Sequence, residues 1–76
     1  MQIRLLAFAQ TEKQAGFRER TVDCAPEETP RQIWERAAPA LDLFGVRVAV
    51  DCEYHGWDEP IGQATEIALI PPVSGG

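Results

Sequence analysis

The residues of this 76-residue sequence that could do chemistry lie in its last segment, Pro71-Pro72-Val73-Ser74-Gly75-Gly76. The segment carries no charged side chain, so its reactive group is the terminal carboxylate of Gly76. Because a carboxylate resists nucleophiles, we expect a partner enzyme to convert it first, with ATP, into an acyl-adenylate. A sulfur nucleophile would then displace AMP and leave a glycyl thiocarboxylate, whereas an amine would give an amide.

The shape of this segment suits insertion into a narrow channel. Gly75 and Gly76 have no Cβ and can approach another backbone or a nucleotide closely. At about 3.3 Å per extended residue, six residues reach about 20 Å into a cleft. A frayed terminus is the alternative interpretation, but a strand, Pro-Pro and Gly-Gly in this order favour a functional tail. We predict a flexible tail over residues 71–76 with Gly76 as the catalytic residue, and the residues expected to guide insertion are Pro71, Pro72, Val73, Ser74 and Gly75.

Strands near both ends of the chain are predicted to position this tail. The last strand is Glu66–Ile70, since Pro71 has no N–H to donate to a sheet ladder. The apolar run at residues 3–9 predicts a central strand covered on both faces. Residues 18–24 alternate weakly and predict an exposed second strand, which forms a hairpin with the first through a polar loop at residues 10–16.

One helix is predicted in the middle of the chain, over residues 30–38. Thr29 is a typical N-cap, Pro30 suits the first helical position because its missing N–H costs nothing there, and Pro39 ends the helix. Apolar residues recur inside it at helical spacing, so one face should cover a sheet. The residues expected on that face are Ile33, Trp34 and Ala37.

The remaining elements complete an α+β domain. After a turn at Gly45, residues 46–51 alternate between valines and other residues, which predicts a strand with its valines in the core. Residues 53–63 contain two glycines and a proline and predict a short strand and turns. We therefore expect a domain over residues 1–70, in which one main helix packs on one face of a mixed sheet.

A single helix leaves the second face of this sheet open. Side chains alternate along a strand, so the first and last strands should each present residues to both faces. The set expected to face the helix is Ile3, Leu5, Ala7, Ile67 and Leu69. An apolar open face on a small domain is typical of a protein interface. The residues predicted to form this partner interface are Leu6, Phe8, Ala68 and Ile70.

Composition narrows the classes of partner. Seven Lys and Arg against twelve Asp and Glu give a net charge of −5, which opposes the counterion release that drives nucleic-acid binding. A basic protein surface is the natural counterpart, although acidity also serves solubility alone. No apolar run approaches the roughly 20 residues that span a bilayer, and no signal peptide is visible. We expect a cytoplasmic protein that binds neither nucleic acid nor membrane.

Other reactive side chains have structural interpretations. Cys24 and Cys52 lack CxxC spacing and are interpreted as reduced, half-buried thiols without a chemical role. His55 is the single histidine, so we predict no metal site and assign it to a surface loop. Trp34 and Trp57 are expected in the core.

The two ends of the chain also resemble a known family. Leu6-Ala7-Phe8-Ala9, together with the final segment from Glu66 to the Pro-Pro-Val-Ser-Gly-Gly ending, is similar to the MoaD family, the small subunit of molybdopterin synthase. The middle of the chain matches that family only in the order of its elements. Residues 12–16 keep the glycine of the family's Arg-Glu-Leu-x-Gly stretch but lack its leucine. Residues 64–66 retain only the last residue of its Gly-Asp-Glu turn.

The resemblance implies a β-grasp, ubiquitin-like fold and a role as a sulfur carrier in molybdenum cofactor biosynthesis. It implies that an E1-like, MoeB-like adenylyltransferase activates Gly76 with MgATP and that the thiocarboxylated tail enters a MoaE-like large subunit. There it would donate sulfur to cyclic pyranopterin monophosphate. Two small and two large subunits are expected per synthase. This chain would bind no cofactor itself, and the catalytic side chains would belong to the large subunit.

Three alternatives stay open from the sequence. A sulfur carrier of the thiamin pathway shares the expected fold, although the Pro-Pro-Val-Ser-Gly-Gly ending is less typical there. A ubiquitin-like modifier would join Gly76 to lysines of target proteins. A noncovalent binding module would leave the tail without a chemical role.

Overall fold

A computed structural model describes residues 1–72 of the chain and contains one five-stranded sheet with two helices. The strands lie in the order β2-β1-β5-β3-β4 across the sheet. The elements along the chain are β1 (Gln2–Leu6), α1 (Ala9–Ala15), β2 (Glu19–Asp23), α2 (Pro30–Ala37), β3 (Arg47–Val50), β4 (Glu53–His55) and β5 (Glu66–Ile70). No helix in this part of the chain has the length and apolar content needed to span a bilayer.

The sheet is mixed, as predicted. β1 pairs antiparallel with β2, which confirms the N-terminal hairpin, and β3 pairs antiparallel with both β4 and β5. β1 and β5 lie side by side and run parallel, with Leu6 opposite Ala68. Neighbouring strands that run parallel finish at the same end of a sheet. The segment after β1 and the segment after β5 therefore emerge next to each other, and the second of these is the tail.

Helix α2 forms where its sequence signals indicate. The Thr29 hydroxyl accepts from the Gln32 amide at 3.2 Å, and the Gln32 side chain accepts from the Thr29 amide at 3.0 Å, which is a complete capping box. Pro30 occupies the first helical position. The helix ends at Ala37, one residue before the predicted end, and Pro39 follows its C-cap.

The core lies between α2 and one face of the sheet. The set predicted to face the helix is buried, with each member at most 1% exposed: Ile3, Leu5, Ala7, Ile67 and Leu69. Ile33 and Trp34 of α2 are also fully buried, and the valines of the third strand region are in the core. The core prediction is confirmed for Trp34. Trp57 is only partly buried, packs against this core and donates its indole N–H to the Val46 carbonyl at 2.9 Å.

The predicted loop at residues 10–16 is wrong, because a helix occupies most of it. The amides of Thr11 and Glu12 donate to the Phe8 carbonyl, and the Thr11 side chain accepts from the Phe8 amide at 3.0 Å. Gly16 ends the helix with φ of 86°, a left-handed conformation that glycine adopts at low cost. Thr11 is the one buried residue of α1. The helix therefore has no apolar stripe, which is the signal on which the helix prediction depends.

The first strand is covered on one face only, so the prediction that both faces are covered is wrong. Along β1 exposed and buried residues alternate, with Gln2 and Arg4 exposed and Ile3 and Leu5 buried. The two helices leave the second face open, and β1 places its polar residues there. The apolar character of the run comes mainly from its helix-facing side.

The two cysteines have different environments, which corrects the expectation that both are half-buried. Cys24 is buried, and burial raises the pKa of its thiol. Cys52 is exposed in the turn between β3 and β4, where Asp51 and Cys52 have φ values of 48° and 70°. Two successive positive φ values are characteristic of a type I′ hairpin turn. Cys52 therefore occupies a position that the turn geometry selects for glycine.

Asp51 ties this turn to the start of β5. Its Oδ1 accepts from the Thr65 amide, the Thr65 hydroxyl and the Glu66 amide, each at 3.0 Å, and its own amide donates to the Glu66 carbonyl. These donors hold the pKa of the Asp51 carboxyl below its usual value, the Thr65 amide contributing most. The contact fixes the beginning of the strand that leads into the tail.

Asp51 should make the domain sensitive to acid. A carboxyl whose pKa is lower in the folded state stabilises the fold above its unfolded pKa of about 3.9, and this stabilisation is lost as the pH falls through the folded value. We expect Asp51→Asn to destabilise the domain by about 1 kcal/mol at neutral pH, with the difference closing in acid. Urea unfolding of both proteins at several pH values measures this, and a constant difference down to the acid limit would contradict it.

Candidate functional site

The candidate site is the tail base, formed by Pro71 and Pro72 directly after β5. Pro71 is half-buried and Pro72 is exposed. The predicted turn at Gly45 is present and approaches this base. Gly45 has φ of 76°, and a Cβ at that position would lie 3.9 Å from the Pro72 ring. The other predicted tail residues, including Gly76, lie outside the described residues: Val73, Ser74, Gly75 and Gly76.

A groove of about 420 Å³ lies on one side of the tail base. We call it the α1 groove, and its lining includes Gln10, Thr11, Gln14, Phe44, Pro71 and Pro72. The Gln14 side chain accepts from the Asp42 amide at 3.2 Å, which links α1 to the loop that carries Phe44. Phe44 is 90% exposed. The helix that the sequence did not predict therefore forms one wall beside the tail.

A second groove, of about 190 Å³, lies on the open face of the sheet. We call it the Arg47 groove, and it is lined by Gly45, Arg47, Tyr54, Ile70, Pro71 and Pro72. Arg47 lies opposite Ile70 in the β3–β5 pairing, and its guanidinium carbon is 5.5 Å from the centre of the Tyr54 ring. The two grooves meet at the tail base.

The four residues predicted to form a partner interface occupy the half of the open face that is nearest the tail. Leu6 of β1 lies opposite Ala68 of β5, and Ala68 lies opposite Ala49 of β3. Leu6 and Ile70 are half-buried, Ala68 is 8% exposed, and Phe8, just beyond β1, is 45% exposed. Tyr54 extends this apolar patch across β4 at 70% exposure. The interface itself stays a prediction.

The other half of the open face is charged, so the expectation that the whole face is apolar is wrong. Arg4 and Glu66 are opposite each other on β1 and β5, and their side chains form an ion pair at 2.6 Å. The hydrogen bond to Glu66 raises the pKa of Arg4 above its usual value. This pair limits the apolar patch to the end of the sheet from which the tail emerges.

No acid–base pair accompanies the tail base among residues 1–72. His55 ends β4, where the sequence predicted a loop, and its Nε2 lies 2.9 Å from the Glu59 carbonyl oxygen. Within the described part of the chain, no three His, Cys, Asp or Glu side chains are grouped to hold a metal ion.

The sequence interpretation missed two parts of this site, α1 and the pair Arg47 and Tyr54. The alternation of side chains along a strand was sufficient to assign Arg47 and Tyr54 to the same face of the sheet. Residues two apart in a strand share a face, so Arg47 lies on the same side as Ala49, and Tyr54 lies opposite Ala49. The sequence does not show that β3 pairs with β5, and this pairing brings Arg47 to the tail base.

These features define a class of protein. A helix packs against one face of a mixed sheet, and two parallel central strands finish at the same end of that sheet. In the sequence, a Gly-Gly tail follows the second of these strands. This is the β-grasp fold of ubiquitin-like proteins. The chain belongs to the ThiS family, which it matches over residues 5–76. The sequence-based assignment to ubiquitin-like proteins of the ThiS and MoaD type is confirmed.

Solved structures give the same fold. Crystal structures of the small archaeal modifier protein 1 (SAMP1) of Haloferax volcanii superpose with TM-scores of 0.78 and 0.75, at 27% and 25% identity. The first comparison covers 100% of both chains, and the second covers 95% of this chain and 98% of the other. A Pyrococcus furiosus protein described as molybdopterin converting factor, subunit 1, gives a TM-score of 0.76 at 20% identity and covers 96% and 99% of the two chains. No curated protein matches the chain in sequence.

Proposed function

We propose that this chain is a sulfur carrier whose tail delivers sulfur from Gly76 to the active site of a partner enzyme. The observation that carries the proposal is the position of the tail base. It follows a central strand, lies between two grooves and adjoins the apolar patch, so a partner that docks on this patch would receive the tail directly. Membership of the ThiS family supports the same role.

The tail chemistry needs two steps. The Gly76 carboxylate attacks the α-phosphorus of MgATP, which forms an acyl-adenylate and releases pyrophosphate. A nucleophile at the oxidation level of sulfide, such as hydrosulfide, then attacks the acyl carbon, forms a C–S bond and displaces AMP. Loss of the sulfur-bound proton leaves a thiocarboxylate that carries sulfur in place of one oxygen. An E1-like, MoeB-like adenylyltransferase supplies the first step. This chain contributes the acyl group and the docking surface, and it is the sulfur-donating subunit of a transferase whose catalytic side chains lie on the partner.

The acceptor we propose is cyclic pyranopterin monophosphate, bound in a MoaE-like large subunit of molybdopterin synthase. The ending Pro-Pro-Val-Ser-Gly-Gly supports this acceptor over the thiazole precursor of the thiamin pathway. A second candidate is a protein modifier, in which the acyl-adenylate reacts with a lysine amine to give an isopeptide bond. The 27% identity to SAMP1 across the whole chain favours this candidate.

Intact mass spectrometry tests the proposed chemistry. Protein made together with its activating enzyme and a sulfur source should gain the mass expected for exchange of one oxygen for sulfur at Gly76. Reconstitution with the large subunit should then form the dithiolene of molybdopterin. Isopeptidase-sensitive ladders on immunoblots, without sulfur gain, would favour the modifier. Absence of the mass gain with an active activating enzyme would refute the sulfur carrier.

Phe8 provides a test of the proposed interface. We expect Phe8→Asp to weaken binding to the large subunit at least about tenfold, because a charge replaces an exposed aromatic side chain on a patch that the partner would desolvate. Isothermal titration calorimetry measures the affinity, and thermal unfolding checks the fold. Ala40→Asp is the matched control, since Ala40 is exposed in the loop that follows α2. Equal affinities for the two variants would exclude Phe8 from the interface.

A further inference from the structure

The arginines of this chain fall into two groups. Four of the six are ion-paired: Arg4 with Glu66, Arg18 with Glu12, Arg31 with Asp58 and Arg36 with Glu28. Among residues 1–72, Arg20 and Arg47 form no ion pair. Each of these two lies over an aromatic ring, Arg20 over Phe17 at 4.3 Å and Arg47 over Tyr54 at 5.5 Å, as does the ion-paired Arg31 over Trp57 at 5.9 Å.

Their positions differ in one decisive respect. Arg20 lies on the edge strand β2 opposite Leu5, a helix-facing residue, so it is on the helix side of the sheet. Arg47 lies on the open face opposite Ile70 and lines the Arg47 groove with Pro71 and Pro72. Within residues 1–72 it is therefore a cation without an acidic partner, beside Pro71 and Pro72, in a chain of net charge −5.

We propose that Arg47 forms an ion pair with a carboxylate of the protein that accepts the tail, an inference that rests on the proposed function. A partner that covers Ile70 and Tyr54 must also remove water from the Arg47 guanidinium. A desolvated cation without an anion is costly, whereas a carboxylate can form two parallel hydrogen bonds with a guanidinium. The Arg47 guanidinium carbon lies 5.5 Å from the centre of the Tyr54 ring, and an arginine that stacks on an aromatic ring can still bind a carboxylate through its N–H groups.

The ion pair between Arg47 and the partner carboxylate would determine how the partner is oriented on the patch more than how tightly it binds. The negative charge of the chain favours a partner whose surface is basic on the whole. A carboxylate on that surface would repel the acidic chain at most positions, and it would be accepted opposite Arg47. Complementary local charges of this kind fix the register of an interface. A correct register matters here because it determines where the tail enters.

The test compares Arg47→Glu with Arg20→Glu, a matched control because both arginines are exposed on strands, lie over aromatic rings and have no ion pair among the described residues. Binding to the cognate large subunit is measured without nucleotide, which separates a protein carboxylate from a nucleotide phosphate. We expect the Kd of Arg47→Glu to rise at least about tenfold, and that of Arg20→Glu to change by less than about threefold. Charge reversal of one carboxylate on the large subunit should restore binding of Arg47→Glu.

The outcomes separate this inference from the proposed function. Sulfur gain at Gly76 and binding of the unaltered chain test the function. If both occur and Arg47→Glu binds as well as Arg20→Glu, the inference is overturned and the function stands. If the unaltered chain neither gains sulfur nor binds the large subunit, the function fails and the inference fails with it. Arg47→Gln, which removes the charge without reversal, replaces Arg47→Glu if thermal unfolding shows that the latter does not fold.

Discussion

One leucine added after Gly76 is expected to reduce sulfur loading of the tail at least about a hundredfold. The addition moves the carboxylate by about 3.5 Å and places a branched side chain where the proposed channel admits only a chain without Cβ atoms. A misplacement of about 1 Å can already cost a factor of about 100 in rate. The fraction of thiocarboxylate after a fixed time with the activating enzyme, MgATP and a sulfur donor measures the effect.

Gln63→Leu is the control for this experiment. It adds a leucine side chain in the exposed turn before β5, at the end of that strand away from the tail, and leaves the tail unchanged, so loading should stay close to that of the unaltered chain. The thermal unfolding temperature should be the same for all three proteins, because the core described within residues 1–72 is unaltered. Full loading of the extended chain would refute the proposed insertion of the tail.

The elements that bury apolar residues at a regular period could be predicted from the sequence. Strand β5 is found with the predicted boundaries, since Pro71 cannot donate to a ladder and the run before it is apolar. Helix α2 is found within one residue of its predicted end, because Thr29, Pro30 and Pro39 mark its limits. In both cases local chemistry and tertiary packing favour the same structure.

The parts that could not be predicted depend on contacts between distant residues. Helix α1 buries only Thr11, so hydrophobic periodicity gives no signal for it, and the link from Gln14 to Asp42 spans 28 positions. The tail-base site has the same origin. Arg47 reaches Ile70 only through the β3–β5 pairing, and β-strand pairing at such separations is not encoded by any local pattern.

The structure also accounts for the limited extent of the open apolar patch. A small domain that exposed a wholly apolar face would risk self-association. The Arg4–Glu66 pair occupies the half of the face away from the tail, whereas the half beside the tail keeps Leu6, Ile70 and Tyr54. On the open face, apolar surface is thus confined to the half beside Pro71 and Pro72, where the proposed partner would bind.

Trp34→Ala is expected to give the largest loss of stability of any single substitution discussed. The Trp34 side chain is fully buried, and its ring stacks on Phe17 with a centroid distance of 5.8 Å and an interplanar angle of 10°. Truncation of a buried tryptophan costs about 3–5 kcal/mol. At about 0.05–0.15 kcal/mol per residue, a domain of this size has only about 4–11 kcal/mol in total. The variant should therefore be partly unfolded at 37 °C.

Trp34→Phe separates the effect on stability of losing ring packing from the effect of losing the indole N–H. Within residues 1–72 the indole N–H of Trp34 is buried and has no hydrogen-bond acceptor, so its removal relieves an unsatisfied donor while the smaller ring keeps the contact with Phe17. We expect this variant to lose far less stability than Trp34→Ala.

Trp57→Phe should lose about 1 kcal/mol, because the Trp57 indole donates to the Val46 carbonyl. Urea unfolding followed by far-UV circular dichroism ranks the three variants. Equal losses for Ala and Phe at position 34 would contradict the assignment of the stability contribution of Trp34 to the packing of its ring on Phe17.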